Sequence, residues 1–329
     1  MRIKMTLLFY SMSCIFIWLV LRSFFRNQPE YSNGYVFKKI NTHSYPNPYT
    51  QTNNNPQTKE SDIPFGNFGS EEIHKRLQAC PKDIHTVPNI VHFVWFGEAQ
   101  LRFHQMLSIL SAYQKLTPCV ILIHGDVLPH GDWWAYLKSK VPNMVHVKRT
   151  QPELIFNVKL DRIEHKSDVA RIEAILEYGG IYLDTDVIVV KTFDPLRKYN
   201  TSMSKENDKQ LGSGVIVSTP NSEFIKQWYE SYQSFDNTNW AYHSTMVPMR
   251  LSKLHPELIH VVGYLMHWPS ISQLYLIYRA DITGWKRNYC VHLWYREYDI
   301  EHDPLTIRNL KTTFGQLARN VYYGSPDIK

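Results

Sequence analysis

Residues 179–190 read Gly-Gly-Ile-Tyr-Leu-Asp-Thr-Asp-Val-Ile-Val-Val. Asp184 and Asp186 interrupt a run that is otherwise apolar. Side chains at i and i+2 of a strand point to one face, so an extended segment here presents both carboxylates to a single site. Two like charges that close repel each other unless a cation lies between them. A hard divalent ion such as Mn²⁺ or Mg²⁺ answers that need, because it takes carboxylate oxygens. The plainer reading is a solvated turn, since Asp favours turns. Against it, Val187-Ile188-Val189-Val190 continues apolar, and buried carboxylates pair or bind metal.

The segment before this run reads as a helix. Val169, Ile172, Ile175 and Leu176 fall at helical spacing, with Ser167 as N-cap and Gly179 at the C′ position. That helix delivers the chain into a strand, Ile181–Leu183, with the acids at its carboxyl end, where open α/β sheets bind ligands. Upstream, strands are expected at Ile90–Phe96, Val120–Ile123 and Val145–Val147, and helices over Leu101–Leu116 and Asp132–Lys140. The alternation predicts an α/β fold with a parallel sheet. Further on, Val215–Ser218 and Cys290–Tyr295 read as strands and Phe224–Tyr232 as a helix, while residues 240–290 show no clear period.

The chain of 329 residues is 43% hydrophobic and 20% charged, which fits a globular protein. A net charge of +6 without a Lys/Arg block, and without a recognisable motif, argues against a nucleic-acid partner. Arg2 and Lys4 precede an apolar run, Met5–Leu21, with no small-residue cleavage site after it. An uncleaved membrane anchor with a short cytoplasmic tail is expected over residues 1–26. Residues 27–85 are polar and proline-bearing and read as a flexible stem. A lumenal body follows over residues 86–329. Of four cysteines, Cys14 lies in the anchor, so Cys80, Cys119 and Cys290 allow one disulfide at most. Asn200-Thr201-Ser202 is a glycosylation sequon, usable only in the lumen.

Three more residues are candidates for the site. Asp168 opens the delivering helix and either faces a ligand hydroxyl or serves the helix dipole. Arg171 lies one turn on, either beside the ligand or in an ion pair with Asp168. His292, between Val291 and Leu293, is either a core histidine or a third metal ligand that suits Mn²⁺.

The stretch from Ser167-Asp168 and Arg171 through Gly179-Gly180-Ile181-Tyr182-Leu183-Asp184-Thr185-Asp186 resembles the sugar-binding DXD region of glycosyltransferase family 32. Ile90–Gly97 and Val291–Trp294 are similar to that family's opening strand and its closing His-x-Trp segment. The resemblance spans residues 86–300. It implies a GT-A-like Rossmann-type sheet flanked by helices, and a retaining transfer of hexose or N-acetylhexosamine from a nucleotide-sugar. UDP-galactose, UDP-N-acetylglucosamine or GDP-mannose would be the donor, and a glycan or glycolipid the acceptor. By position, it implies Asp184, Asp186 and His292 as metal ligands. Trp95, Asp168, Arg171, Tyr182, Asp184 and Asp186 become donor-binding residues, and no catalytic nucleophile is named. Leu211-Gly212-Ser213-Gly214 lacks the Asn that relatives often carry there. Anchor, stem and DXD body in that order imply a single-pass Golgi membrane enzyme with its body in the lumen.

Two other classes fit an Asp-x-Asp. One is a Mg²⁺-dependent phosphohydrolase of the HAD-like kind, whose first Asp attacks phosphate, although that motif belongs on a domain's first strand. The other is a catalytically silent sugar-binding protein of the secretory membranes.

Overall fold

The computed structural model describes residues 71–81, 84–298 and 300–328. The expected anchor and most of the expected stem lie outside them. Among the described residues no helix is long and apolar enough to cross a membrane.

The order along the chain is α1 (Glu71–Gln78), β1 (Ile90–Val94), α2 (Phe103–Leu116), β2 (Val120–Gly125), α3 (Asp132–Lys140) and β3 (Met144–Lys148). A short hairpin, β4 (Leu154–Ile155) and β5 (Val158–Lys159), leads into α4 (Ile163–Tyr178). Next come β6 (Gly180–Leu183), β7 (Val187–Val189), β8 (Thr201–Asn207), β9 (Gln210–Ser218), α5 (Glu223–Glu230) and α6 (Val247–Leu254). The chain ends with β10 (His260–Val261), α7 (Tyr275–Tyr278), β11 (Cys290–His292), α8 (Pro304–Arg308) and α9 (Thr313–Tyr323).

The main sheet has seven strands in the order β10-β8-β9-β6-β1-β2-β3. β3, β2, β1 and β6 run parallel, as expected. β9 pairs antiparallel with both β6 and β8, so the sheet is mixed and not all-parallel. Hydrophobic pattern cannot reveal this direction, because β9 is buried on both faces and reads as a continuous run either way. Alternation sorts its side chains. Ile181, Leu183, Val215 and Val217 pack in the core under α2 and α9, while Tyr182 and Ile216 pack in the core under α4 and α5.

Three expectations about elements change. α4 starts at Ile163, so Ser167 is not its N-cap and Asp168 does not open it; the Ser167 hydroxyl donates to Ile163 O, one turn back. The folded body reaches back into the stretch expected to be stem: α1 buries Ile73 against Ile90, Val120 and Leu122. The acids do not sit within one strand. Residues 184–186 turn the chain out of the main sheet into β7, which pairs antiparallel with β11 in a second, two-stranded sheet. Cys80 bonds Cys119, and Cys290 is free and buried.

The joint between α4 and β6 needs glycine. Gly179 ends the helix and Gly180 has φ +106°, with an added Cβ only 2.5 Å from Ile90 O. No L side chain fits that approach of β6 to β1.

Candidate metal and donor site

The turn after β6 opens into a cavity of roughly 370 Å³ at the carboxyl end of the parallel strands. Asp184, Asp186 and Thr185 lie on its floor. Tyr182 and Arg171 form one wall, and His104 and Tyr295 the other.

Asp184 follows Tyr182 on the α4 side of β6. The Tyr182 hydroxyl donates to Asp184 Oδ1 at 2.6 Å, and Arg171 reaches the same oxygen at 3.4 Å. Arg171 also donates to the Ser213 carbonyl and hydroxyl at 3.1 and 3.0 Å, pairs with Asp168 at 3.2 Å, and lies over the Tyr182 ring at 4.8 Å. Burial pushes Asp168 up to about 6 against the pull of Arg171, and the Asp184 charge adds to the rise. Asp168 therefore stands behind Arg171 and is not part of the cavity lining; it aims the guanidinium that meets the cavity.

Asp186 is held from the other sheet. Pairing of β11 with β7 sets His292 opposite Val187, one residue past Asp186. His292 Nε2 lies 3.1 Å from Asp186 Oδ1. Trp294 has φ +51°, and this turn brings the Tyr295 amide to donate to Asp186 Oδ2 at 3.1 Å. Burial alone would push Asp186 up, but the His292 charge and these hydrogen bonds outweigh it and hold the carboxyl well below its usual range. In return, Asp186, Asp184 and Glu206 raise His292 in spite of its burial.

Ligand atoms of Asp184, Asp186 and His292 all lie within 4.8 Å of one another. Two carboxylates and an imidazole form a donor set that suits Mn²⁺ or Mg²⁺, so the residues fit the expected cation. Beyond this set lies His267. Its Nε2 is 3.2 Å from His292 Nδ1, and burial keeps it neutral, well below the usual histidine range. With Nε2 of His292 turned to the acids, its Nδ1–H donates to His267 Nε2. The His267 proton is then on Nδ1, which has no partner and faces β9 at Gly212. A Cβ on Gly212 would lie 2.2 Å from that nitrogen, and one on Gly214 would lie 2.8 Å from Asp184 Oδ2. The glycines on this face of β9 thus leave room for both side chains.

Of the donor-binding residues expected from sequence, Arg171, Tyr182, Asp184 and Asp186 line the cavity. Trp95 is placed elsewhere: it is buried in the core and its indole donates to Gly97 O at 3.1 Å. Sequence reasoning missed His104, Tyr295 and His267. His104 enters from the first turn of α2 and stacks on Tyr295 at 3.3 Å between ring centroids. Its only sequence signal is one histidine in an apolar helix, and His267 comes from the stretch with no period.

An α/β sheet that presents two carboxylates and a histidine at its carboxyl edge defines a class of proteins able to clamp a cation and an anionic ligand together. The description "Glycosyltransferase sugar-binding region containing DXD motif" belongs to a family whose model matches residues 78–203. Glucan organizing enzyme 1 of Cryptococcus neoformans var. grubii serotype A is 31% identical over 261 residues, covering 71% of this chain and 70% of that protein. The chain belongs to this family of DXD glycosyltransferases, of the family 32 type. Among solved structures, PaToxG glycosyltransferase is similar at 16% identity, covering 52% of this chain and 69% of its own, with a TM-score of 0.38. The galactosyltransferase LgtC, solved with donor and acceptor sugar analogs, is similar at 12% identity, covering 73% and 97%, with a TM-score of 0.38. Family membership makes the protein a glycosyltransferase, a reading favoured over the phosphohydrolase and the silent binder.

Proposed function

We propose that this GT-A-like enzyme transfers a hexose or N-acetylhexosamine from a nucleotide-sugar to a glycan or glycolipid, with retention at the anomeric carbon. The observation that carries this reading is the convergence of Asp184, Asp186 and His292 on one point of the cavity floor. A divalent cation bound there supplies Lewis-acid stabilisation of the charge that collects on the departing diphosphate. The chain's own residues keep the clamp in shape. Tyr182 and Arg171 hold Asp184, and the Tyr295 amide holds Asp186. The Arg171 guanidinium supplies a fixed positive charge on the wall, committed to carboxylates and Ser213, so it orients rather than migrates. The donor is UDP-galactose, UDP-N-acetylglucosamine or GDP-mannose.

We place the enzyme in the Golgi membrane with its body in the lumen. The order of anchor, stem and DXD body supports this, as do a disulfide of the kind that oxidising compartments maintain and an exposed Asn200 in the sequon. Protease protection of the body in intact microsomes tests that topology, and cleavage without detergent would overturn it.

The function is tested with the detergent-solubilised full chain against the three donors, with Mn²⁺, with Mg²⁺ and with EDTA. One donor is expected to be hydrolysed or transferred in a metal-dependent manner, and Asp186→Asn to lose about 100-fold or more of that activity. Activity that survives both EDTA and Asp186→Asn sinks the metal clamp.

A further inference from the structure

Trp240 lies in the segment between α5 and α6 and is 38% exposed. Two guanidinium groups pack on its ring: Arg162 at 5.0 Å and Arg296 at 5.2 Å from the centroid. Arg162 is the N-cap residue of α4, next to Ile163 and Glu164 of the cavity lining. Arg296 lines the cavity itself and directly follows Tyr295, whose amide grips Asp186. The indole therefore joins two walls of the cavity mouth through a pair of cations.

The charges of this pair are poorly compensated. Among the described residues Arg162 has no carboxylate at ion-pair distance, and Arg296 has only its exposed neighbour Glu297 at 3.4 Å. A third guanidinium, Arg102, also lines the cavity. Arg171, deeper in, is already spent on Asp168 and Asp184. A guanidinium stacked on an aromatic face keeps its in-plane N–H fork free, and that fork matches a phosphate or carboxylate.

The donor does not need this rim. Its diphosphate belongs on the floor with the acids. The β1–α2–β2–α3–β3 half has the form of a mononucleotide-binding unit, which takes the nucleoside at its own strand ends. Trp240 and Arg296 come from the other half, after β9, and face what arrives from solvent.

We propose that Arg162, Trp240 and Arg296 form an acceptor subsite for an anionic group, a phosphate or carboxylate borne by the acceptor sugar. The subsite rests on the reading of the cavity floor as a nucleotide-sugar site, and its test separates the two. The full chain is given its selected donor with three methyl glycosides: a neutral hexose, the same hexose 6-phosphate and the corresponding hexuronic acid. At least one charged acceptor is expected to exceed the neutral one by about 10- to 100-fold in kcat/KM, and the phosphate and uronate arms identify which anion is taken. In Arg162→Gln and Arg296→Gln that ratio collapses toward one through the acceptor KM. Trp240→Phe retains a ring and part of the preference, whereas Trp240→Ala loses it. Equal use of charged and neutral acceptors overturns the subsite, as does a rise in donor KM with the ratio intact. Metal-dependent donor hydrolysis by the unmutated chain, measured without acceptor, reports separately on the floor. Its absence defeats the proposed function and not merely the rim.

Discussion

Asp184 and Asp186 are two positions apart and look equivalent in the sequence, but they are held by different parts of the molecule. Asp184 belongs to the α4 side, through Tyr182 and Arg171, and Asp186 to β11 and the turn after it. The i and i+2 spacing exposed the pair, and the candidate partners Arg171 and His292 were visible beside it. His267 was not, because it comes from a segment of short turns with no period to read, and its partner surface is an absence of side chain at Gly212. A hydrogen bond on the far nitrogen of a ligating histidine fixes its orientation. His267→Phe should therefore weaken Mn²⁺ binding by about 10- to 100-fold, read by calorimetry on the purified chain, with partial rescue in His267→Gln. Gly212→Ala should act in the same direction, since its Cβ would press on His267. Unchanged Mn²⁺ affinity in His267→Phe would remove His267 from the site.

At the scale of elements, α4 and β6 were legible because a helical period ends at Gly179 and an apolar run starts at once. The start of α4 was misplaced by five residues, N-cap Ser167 against N-cap Arg162, because a serine competent to cap also bonds the carbonyl one turn back. The antiparallel course of β9 was not legible, since burial on both faces hides direction. The joint at Gly180 aims the whole motif: β6 runs beside β1 only while no side chain intervenes at Ile90 O. Gly180→Ala is expected to cost about 1–3 kcal/mol from its φ alone, with the close contact adding to it. The measurement is the urea midpoint, accompanied by a lower kcat as β6 and Asp184 shift. A midpoint and kcat equal to the unmutated chain's would show that the joint tolerates a side chain.

Across the whole molecule, the centre of the sheet carries a buried polar pair among its aliphatics. His92 Nε2 lies 2.7 Å from Gly179 O and so donates there, which leaves Nδ1 to accept from His124 Nε2 at 2.9 Å. Burial lowers His92 from 6.5 to about 4, and His124 falls well below 6.5. A histidine with a lowered folded pKa keeps its stability contribution above the unfolded value and loses it as pH drops. Between pH 6.5 and about 4 the unfolded chain takes up protons that the folded chain refuses. His92 alone should remove up to about 3 kcal/mol across that window. Urea midpoints at pH 7.5 and 5 should differ accordingly, and the difference should shrink in His92→Asn. Equal midpoints at the two pH values in the unmutated chain would refute it.

The bond between Cys80 and Cys119 closes a covalent ring of 39 residues in sequence separation. β1 and α2 lie inside that ring, and with them Arg102 and His104 of the cavity. Tension applied to the chain on the N-terminal side of Cys80 passes through sulfur straight into the start of β2. The covalent path of that pull bypasses the ring, so it does not run through the backbone that carries Arg102 and His104 to the cavity.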